Sequence, residues 1–421
     1  MSGLLPRRSA VLVFGAFAFA YFLSALIRAV TATLAPTMAQ EFALQASDLG
    51  LLAGGFFLGF AATQLPLGTW LDRYGPKKVL LGFLGVAVAG SLVFSAATGF
   101  SGLLAGRVLC GAGVSACLMA PLTGYRRWFA ATMQMRANSW MLMTGSLGMV
   151  ASTLPVQWAL PVVGWRPLFW GLAVLIVLAM GVIAMAVPAW AGPAREEGAT
   201  EPPGHGADAV PRGYASVWRH PYFQRVAPLG FFVYGGMVAM QTLWAGPWMQ
   251  NVAGYTPLES AAGLFWINVS MLCTFWTWGM LNPWLLRKGL DANRLMAAGL
   301  PLCLVVLLGT ILAGPQAGAG AWALFCVSCT FVALSQPAVA MAFPQALAGR
   351  ALSAFNLVIF AGVFVVQWGI GLAVDAFAAA GLSTVASFQA AMAVYLACNA
   401  GAYAFFMLRG QRHNVLQTSA P

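Results

Sequence analysis

The 421-residue sequence is short of charge. Asp, Glu, Lys and Arg make up 7% of it, against about a quarter in an average soluble domain. It is shorter still of acids, with ten Asp and Glu against 21 Lys and Arg, and it holds three histidines. The acids occur only at positions 41, 48, 72, 196, 197, 201, 208, 259, 291 and 375, and His205, His220 and His413 fall in polar stretches. No long apolar block carries an acid or a histidine in its middle. A proton relay through a buried carboxylate or imidazole is therefore missing, and proton coupling, if present, rests on Asp48, Glu259 or Asp375 at block ends. The seven cysteines all lie inside apolar blocks, which excludes a disulfide framework; Cys326 and Cys329 form a CxxC with no flanking ligand and read as packing. There is no nucleophile elbow, P-loop or HExxH, and Gly111-Ala-Gly113 is a GxG with no strand before it. No catalytic residue, cofactor or metal is expected, and the chain does not read as an enzyme.

What the sequence has is apolar surface: 61% of residues are hydrophobic, gathered into repeated blocks of about 20 or more, the length that crosses a bilayer as a helix. The fold class expected is an all-α polytopic membrane protein. Twelve spans are expected at 11–36, 47–69, 78–97, 101–123, 137–160, 167–188, 226–249, 258–283, 292–313, 319–342, 351–376 and 384–408. The longest polar break contains PAREEGATEPPGHGADAVPRG and reads as a disordered linker. The domain plan is thus a six-helix bundle over 1–188, a cytoplasmic linker over 189–225, a second six-helix bundle over 226–409, and a cytoplasmic tail over 410–421. The first apolar run follows Arg7 and Arg8 but is too long for a signal peptide and contains Arg28, so it reads as a retained span.

The formal charge of +11 would point to nucleic acid in a soluble protein. Here no basic run interleaves with exposed aromatics, and the distribution along the chain gives another cause. With the N-terminus inside, 18 of the 21 Lys and Arg fall in inside segments, leaving Arg28, Arg107 and Arg166 elsewhere. Basic residues collect on the cytoplasmic side of inserted helices, so both termini are expected there, in a bacterial inner membrane. The expected partners are the lipid bilayer and a small molecule, with no nucleic acid, and the chain is expected to act as a monomer.

Residues 67–81, LGTWLDRYGPKKVLL, put four charges between the second and third spans. Residues 282–294, NPWLLRKGLDANR, follow the eighth span in the same way. A shift of 214 aligns Trp70 with Trp284, Arg73 with Arg287 and Gly75 with Gly289, while Asp72 falls on Leu286. Duplicated halves of this kind are the sequence signature of many secondary transporters. Gly68 is read as allowing close helix approach and Pro76 as suiting the first turn of the third span.

These stretches resemble the major facilitator superfamily. Gly68-Thr-Trp-Leu-Asp72-Arg73-Tyr-Gly75-Pro-Lys77-Lys78 is similar to its loop between helices 2 and 3. Arg107-Val-Leu-Cys-Gly111-Ala-Gly113 resembles its fourth-helix pattern, and Arg126-Arg127-Trp128-Phe129, Arg136-Ala137 and Gly164-Trp165-Arg166 resemble later segments. The resemblance implies two pseudo-symmetric bundles and transport by alternating access. It also implies that Asp72, with Gly68, Arg73, Gly75, Lys77, Lys78 and Arg287, forms conformational gates, Asp72 making a one-sided latch that holds the outward-open state. The fifth span, GSLGMVASTLPVQW, lacks the Gly-Pro pattern of the superfamily's drug exporters.

A charge inside a span costs about 2.5–3.5 kcal/mol on insertion scales, so Arg28 and Arg107 are the candidates for a binding role. Arg28 stands about 17 residues into the first span, roughly 26 Å along it. Tyr21, Ser24, Arg28 and Thr31 share one helical face. In the seventh span Tyr234, Gln241, Trp244 and Trp248 form a second stripe, and a shift of 213 lays Tyr21 on Tyr234 and Arg28 on Gln241. Asn268 and Gln336 are further polar candidates. A fixed cation without a counter-ion fits an anionic substrate held by charge-assisted hydrogen bonds. The resemblance points the same way, because superfamily members that move organic anions often carry a first-helix Arg. The expected function is transport of a small organic anion or metabolite, with facilitated diffusion, exchange and symport all open; the alternative is efflux of a drug-like or amphipathic compound.

Overall fold

Apolar runs that enter lipid must satisfy their own backbone, and helices do so within one segment. The computed structural model describes residues 4–190 and 214–418, and among them there are helices and no strands. Ten helices are long and apolar enough to cross a membrane, or eleven when the bent pair Arg136–Ala151 and Leu154–Val163 makes one span. The twelfth is concealed by continuity. The helix Gln64–Ala96 runs through Gly75, whose φ of 78° and ψ of 163° turn the chain over. Ala46–Ala62 together with the residues up to 74 forms the second span, and residues from Pro76 form the third. Gly289 has a φ of 75°, so both glycines of the aligned pair occupy the left-handed region that side chains avoid. The 214-residue repeat is thus visible in the backbone.

Three boundaries differ from the sequence reading. The fifth span bends by 44° after Ala151, where Pro155 offers no N–H to the Ala151 carbonyl. Most of the expected linker, residues 191–213, lies outside the described residues, but Tyr214–Arg219 is helical and the seventh span begins at Pro221. Val217 of that short helix is buried, which gives the segment a reason to fold. The last helix runs to Thr418 instead of stopping at 409, because hydropathy marks the edge of the membrane and not the end of a helix that meets no proline. Gly68 does not serve close approach: a Cβ there would meet open space.

The two halves meet most closely at the end of the bundle away from the Lys- and Arg-rich loops. Gly50 lies against the carbonyl of Gln367, and Gly371 against the carbonyl of Ala46 and the Cα of Ser47. Below them the Phe60 and Phe360 rings stand 4.3 Å apart across the interface, with Phe57 at 6.1 Å from Phe360. The Asp375 carboxylate accepts the backbone N–H groups of Ala46 and Ser47 at 3.2 and 2.7 Å, capping the second span from the eleventh. An acid at a helix N-terminus is favoured by both hydrogen bonding and the helix dipole. Asp375→Ala should therefore weaken this seal by about 1.5 kcal/mol, raising the open population roughly tenfold. A cysteine placed at Ser47 in a cysteine-free background reports it, by faster reaction with a membrane-impermeant thiol reagent added from that side.

Candidate central cavity

Beneath the seal lies a cavity of about 670 Å³ between the halves, opening toward the basic end. The first span contributes Tyr21, Ala25 and Arg28, and the seventh contributes Tyr234, Met237, Val238 and Gln241. Gln336 enters from the tenth span, and the walls come from the fifth and eighth spans, including Ser139, Met143, Trp276 and Met280. Tyr21 and Tyr234, and Arg28 and Gln241, the residues that the 213-residue shift pairs, line one space.

Arg28 stands at the top of this space. Its guanidinium carbon lies 5.6 Å from the centre of the Phe60 ring, the same ring that meets Phe360 in the seal. Its Nε is buried with no hydrogen-bond partner, and among the described residues its guanidinium has no carboxylate and no hydrogen bond to protein. The acids are engaged or distant. Asp48 accepts the Gln45 N–H, Glu259 accepts the N–H and hydroxyl of Thr256, Asp291 accepts the Arg294 N–H, and Asp375 is in the seal. Glu41 pairs with Arg166 at 2.6 Å and accepts the Trp165 indole N–H. Asp72 is exposed beyond the cavity. Among the described residues, no acid or histidine lines the cavity.

Four sequence candidates stand elsewhere. Arg107 is fully buried behind the first span, over the Phe56 ring at 4.9 Å, and donates to the carbonyls of Ile27 and Arg28 at 2.8 and 3.5 Å. A lone guanidinium can be retained there because carbonyl oxygens and a ring face stabilise it. Ser24 donates to the Val114 carbonyl, joining the same two spans. Trp244 is buried and donates to the Gln367 carbonyl at 3.0 Å. Asn268 is buried one layer behind Gln241, whose amide donates to it at 2.9 Å. Gln336 does line the cavity and donates to Asn356 at 2.9 Å.

Trp244 and Trp248 leave the expected stripe for a definite reason. The seventh span contains two π-helical segments, Leu229–Tyr234 and Met240–Trp244. Such a turn holds an extra residue, so the 3.6-residue phase that would put Trp244 beneath Gln241 is lost. Trp248 instead packs edge-on to Trp322 at 5.5 Å and donates to the Ala317 carbonyl. Sequence reasoning also missed the fifth- and eighth-span walls. The sequence signal was a run of Met and Ser in place of Leu and Ile, which looks like any adaptable packing surface.

The comparisons with known proteins bear on the whole chain. A family profile described as Major Facilitator Superfamily matches residues 17–367. The chain belongs to the Major Facilitator Superfamily. It resembles in fold a bacterial homolog to the human lysosomal transporter Spinster, solved inward-facing and unoccupied, with a TM-score of 0.77 and 16% identity over 97% of this chain and 98% of that one. A D-xylose-proton symporter matches with a TM-score of 0.73 and 14% identity over 94% and 97% of the two chains. Among curated superfamily proteins, the probable sulfoacetate transporter SauU of Cupriavidus necator is 35% identical over 23% of this chain and 21% of its own length. The 4-hydroxybenzoate transporter PcaK of Acinetobacter baylyi is 26% identical over 37% of this chain and 35% of its own. The inner membrane transport protein YajR of Escherichia coli is 29% identical over 33% and 30%. These matches span between about a fifth and a third of the relatives' lengths. The twelve-helix, two-bundle expectation is therefore met.

The superfamily's loop signature is built around the Gly75 turn. Gly75 packs on the Trp190 ring, Lys77 donates to the Ala184 carbonyl at 2.6 Å, and the Arg73 guanidinium lies 5.2 Å from the Tyr74 ring centre. Lys78 and Asp72 are exposed, and Arg287 ends the eighth span at the same basic end.

Proposed function

We propose that this superfamily member moves a small organic monoanion across a bacterial inner membrane by alternating access, with Arg28 as the group that binds the charge. The observation that carries this reading is the Arg28 guanidinium, aimed into the cavity with its Nε buried and unpartnered. A buried donor without a partner costs free energy, and a carboxylate or sulfonate supplies the missing acceptor together with the opposite charge. Tyr21, Tyr234 and Gln241 surround it and offer polar contacts to the rest of the molecule, while Trp276, Met143 and Met280 favour an apolar body. Two of the relatives are named for transport of sulfoacetate and 4-hydroxybenzoate, both organic anions, which supports the same class. Trp244, Asn268 and Arg107 act behind the contact surface in this scheme, and Arg107 is a positioning residue that holds the backbone at Arg28. The basic end is cytoplasmic, since 18 of the 21 Lys and Arg belong there under the positive-inside rule. Asp72 stays exposed while the cavity faces that side, and it engages when the basic end closes.

Binding tests the reading directly. Purified protein is screened by thermal unfolding against benzoate, 4-hydroxybenzoate, sulfoacetate, neutral sugars and cationic drugs. An anion should raise Tm by about 2 °C or more, and Arg28→Gln should remove that rise. Stabilisation by a cationic or neutral compound alone would favour efflux of drug-like molecules and reject the anion site.

A further inference from the structure

Resting on the reading of Arg28 as the anion-binding group, we infer that this transporter works as an exchanger: the carrier changes sides with an anion bound and returns only with another. The inference comes from charge balance in the space that must close. Arg28 reaches solvent through the cavity mouth at the basic end, and above it the Phe60 and Phe360 rings shut the other side. To change sides, the basic end has to close before the ring pair parts, and in that interval Arg28 loses contact with bulk water. Its neighbours in the cavity include Phe60, Tyr21, Tyr234 and Met237, none of them an acid.

A second charge, of the same sign, lies close by. Arg107 donates to the carbonyls of Ile27 and Arg28 from behind the first span, so a second guanidinium lies on the far side of the same helix turn. Among the described residues no acid or histidine lines the cavity, and the six acids outside the linker are spent on helix caps, on the Glu41–Arg166 pair or at the exposed Asp72. Among the described residues no anionic group stands ready to swing onto Arg28 when the substrate leaves. An empty occluded carrier therefore encloses an uncompensated cation, whereas a carrier loaded with one monoanion encloses a neutral pair. Desolvating an unpaired ion is far costlier than desolvating a paired one. The loaded carrier crosses the occluded state readily, and the empty carrier is held where it released its cargo. Transport becomes one-for-one, and exchange of like-charged anions moves no net charge.

Proteoliposomes containing the full chain test this with radiolabelled 4-hydroxybenzoate outside, or radiolabelled benzoate if only that monoanion gives the Arg28-dependent thermal shift. Vesicles loaded with the same unlabelled anion should take up label at least about tenfold faster than vesicles loaded with buffer alone. A valinomycin-imposed potassium potential should leave the exchange rate unchanged. Gln241→Glu, which puts a carboxylate on the cavity wall opposite Arg28, should raise uptake into buffer-loaded vesicles relative to exchange. Uptake into buffer-loaded vesicles as fast as exchange, or exchange driven by the imposed potential, overturns the inference while the thermal shift leaves the anion site standing. Absence of both the shift and the transport rejects the anion site, and the exchange inference with it.

Discussion

Arg28→Gln should reduce anion uptake by at least about a hundredfold, with the protein still present in the membrane at normal level. Truncating one side of a desolvated charge pair removes the attraction and leaves the bound anion without its partner. Among the described residues the side chain makes no hydrogen bond or ion pair with protein, so its loss breaks none. Arg28→Lys should retain part of the transport with a raised KM, because an ammonium keeps the charge but not the paired donors of a guanidinium. Arg107→Gln makes the contrast. Arg107 touches no cavity space and holds two main-chain carbonyls of the first span, so its replacement should lower thermal stability and yield more than anion affinity. Uptake and thermal unfolding, measured on the same three preparations, separate these roles. Equal transport by Arg28→Gln and wild type would remove Arg28 from the mechanism.

A second large effect is expected from adding carbon atoms at two glycines. Gly371→Val and Gly111→Val are the same chemical change, and in each a Cβ runs into a backbone carbonyl of a neighbouring span. The neighbour of Gly111 is Phe56, within the first six-helix bundle, a contact needed in every state of the carrier. Overpacking of that kind costs about 1–3 kcal/mol or more, and Gly111→Val should fail to accumulate as folded protein. The neighbour of Gly371 is Ala46, in the other half, and the contact exists only while the far end is sealed. Gly371→Val should fold, bind an anion from the far side, and stall there with transport lost by about tenfold or more, since the same cost of roughly 1.4 kcal/mol now falls on one conformation. Size-exclusion yield and thiol labelling of a cysteine at Ser47 distinguish the two outcomes. Low yield of both variants would mean that the seal is part of the fold and not a gate.

Much of this was legible in the residues. Apolar length gave the spans, the 214-residue offset gave two halves, and the cost of charge in lipid singled out Arg28 and Arg107. What composition does not encode is where a buried donor finds its acceptor. The oxygens that hold Arg107 belong to the backbone of residues 27 and 28, and a carbonyl has no signature in a one-letter code. The seventh-span stripe failed because periodicity assumes a regular helix, and the turns at Leu229–Tyr234 and Met240–Trp244 are not regular. The walls from Ser139, Met143, Trp276 and Met280 were passed over because polar or soft residues inside a bilayer segment do not reveal which neighbour they face. Asp375 looked like a span-end acid until docking of the halves brought it to residues 46 and 47, more than 300 positions away.

That grip by Asp375 has a genetic consequence. It holds main-chain N–H groups, which every amino acid but proline supplies, so side-chain changes at 46 and 47 leave the bond's donors in place. The strength of this bond is consequently written almost entirely in one codon, at position 375. A selection that demanded a slower or a faster far-side gate would find its simplest adjustment there.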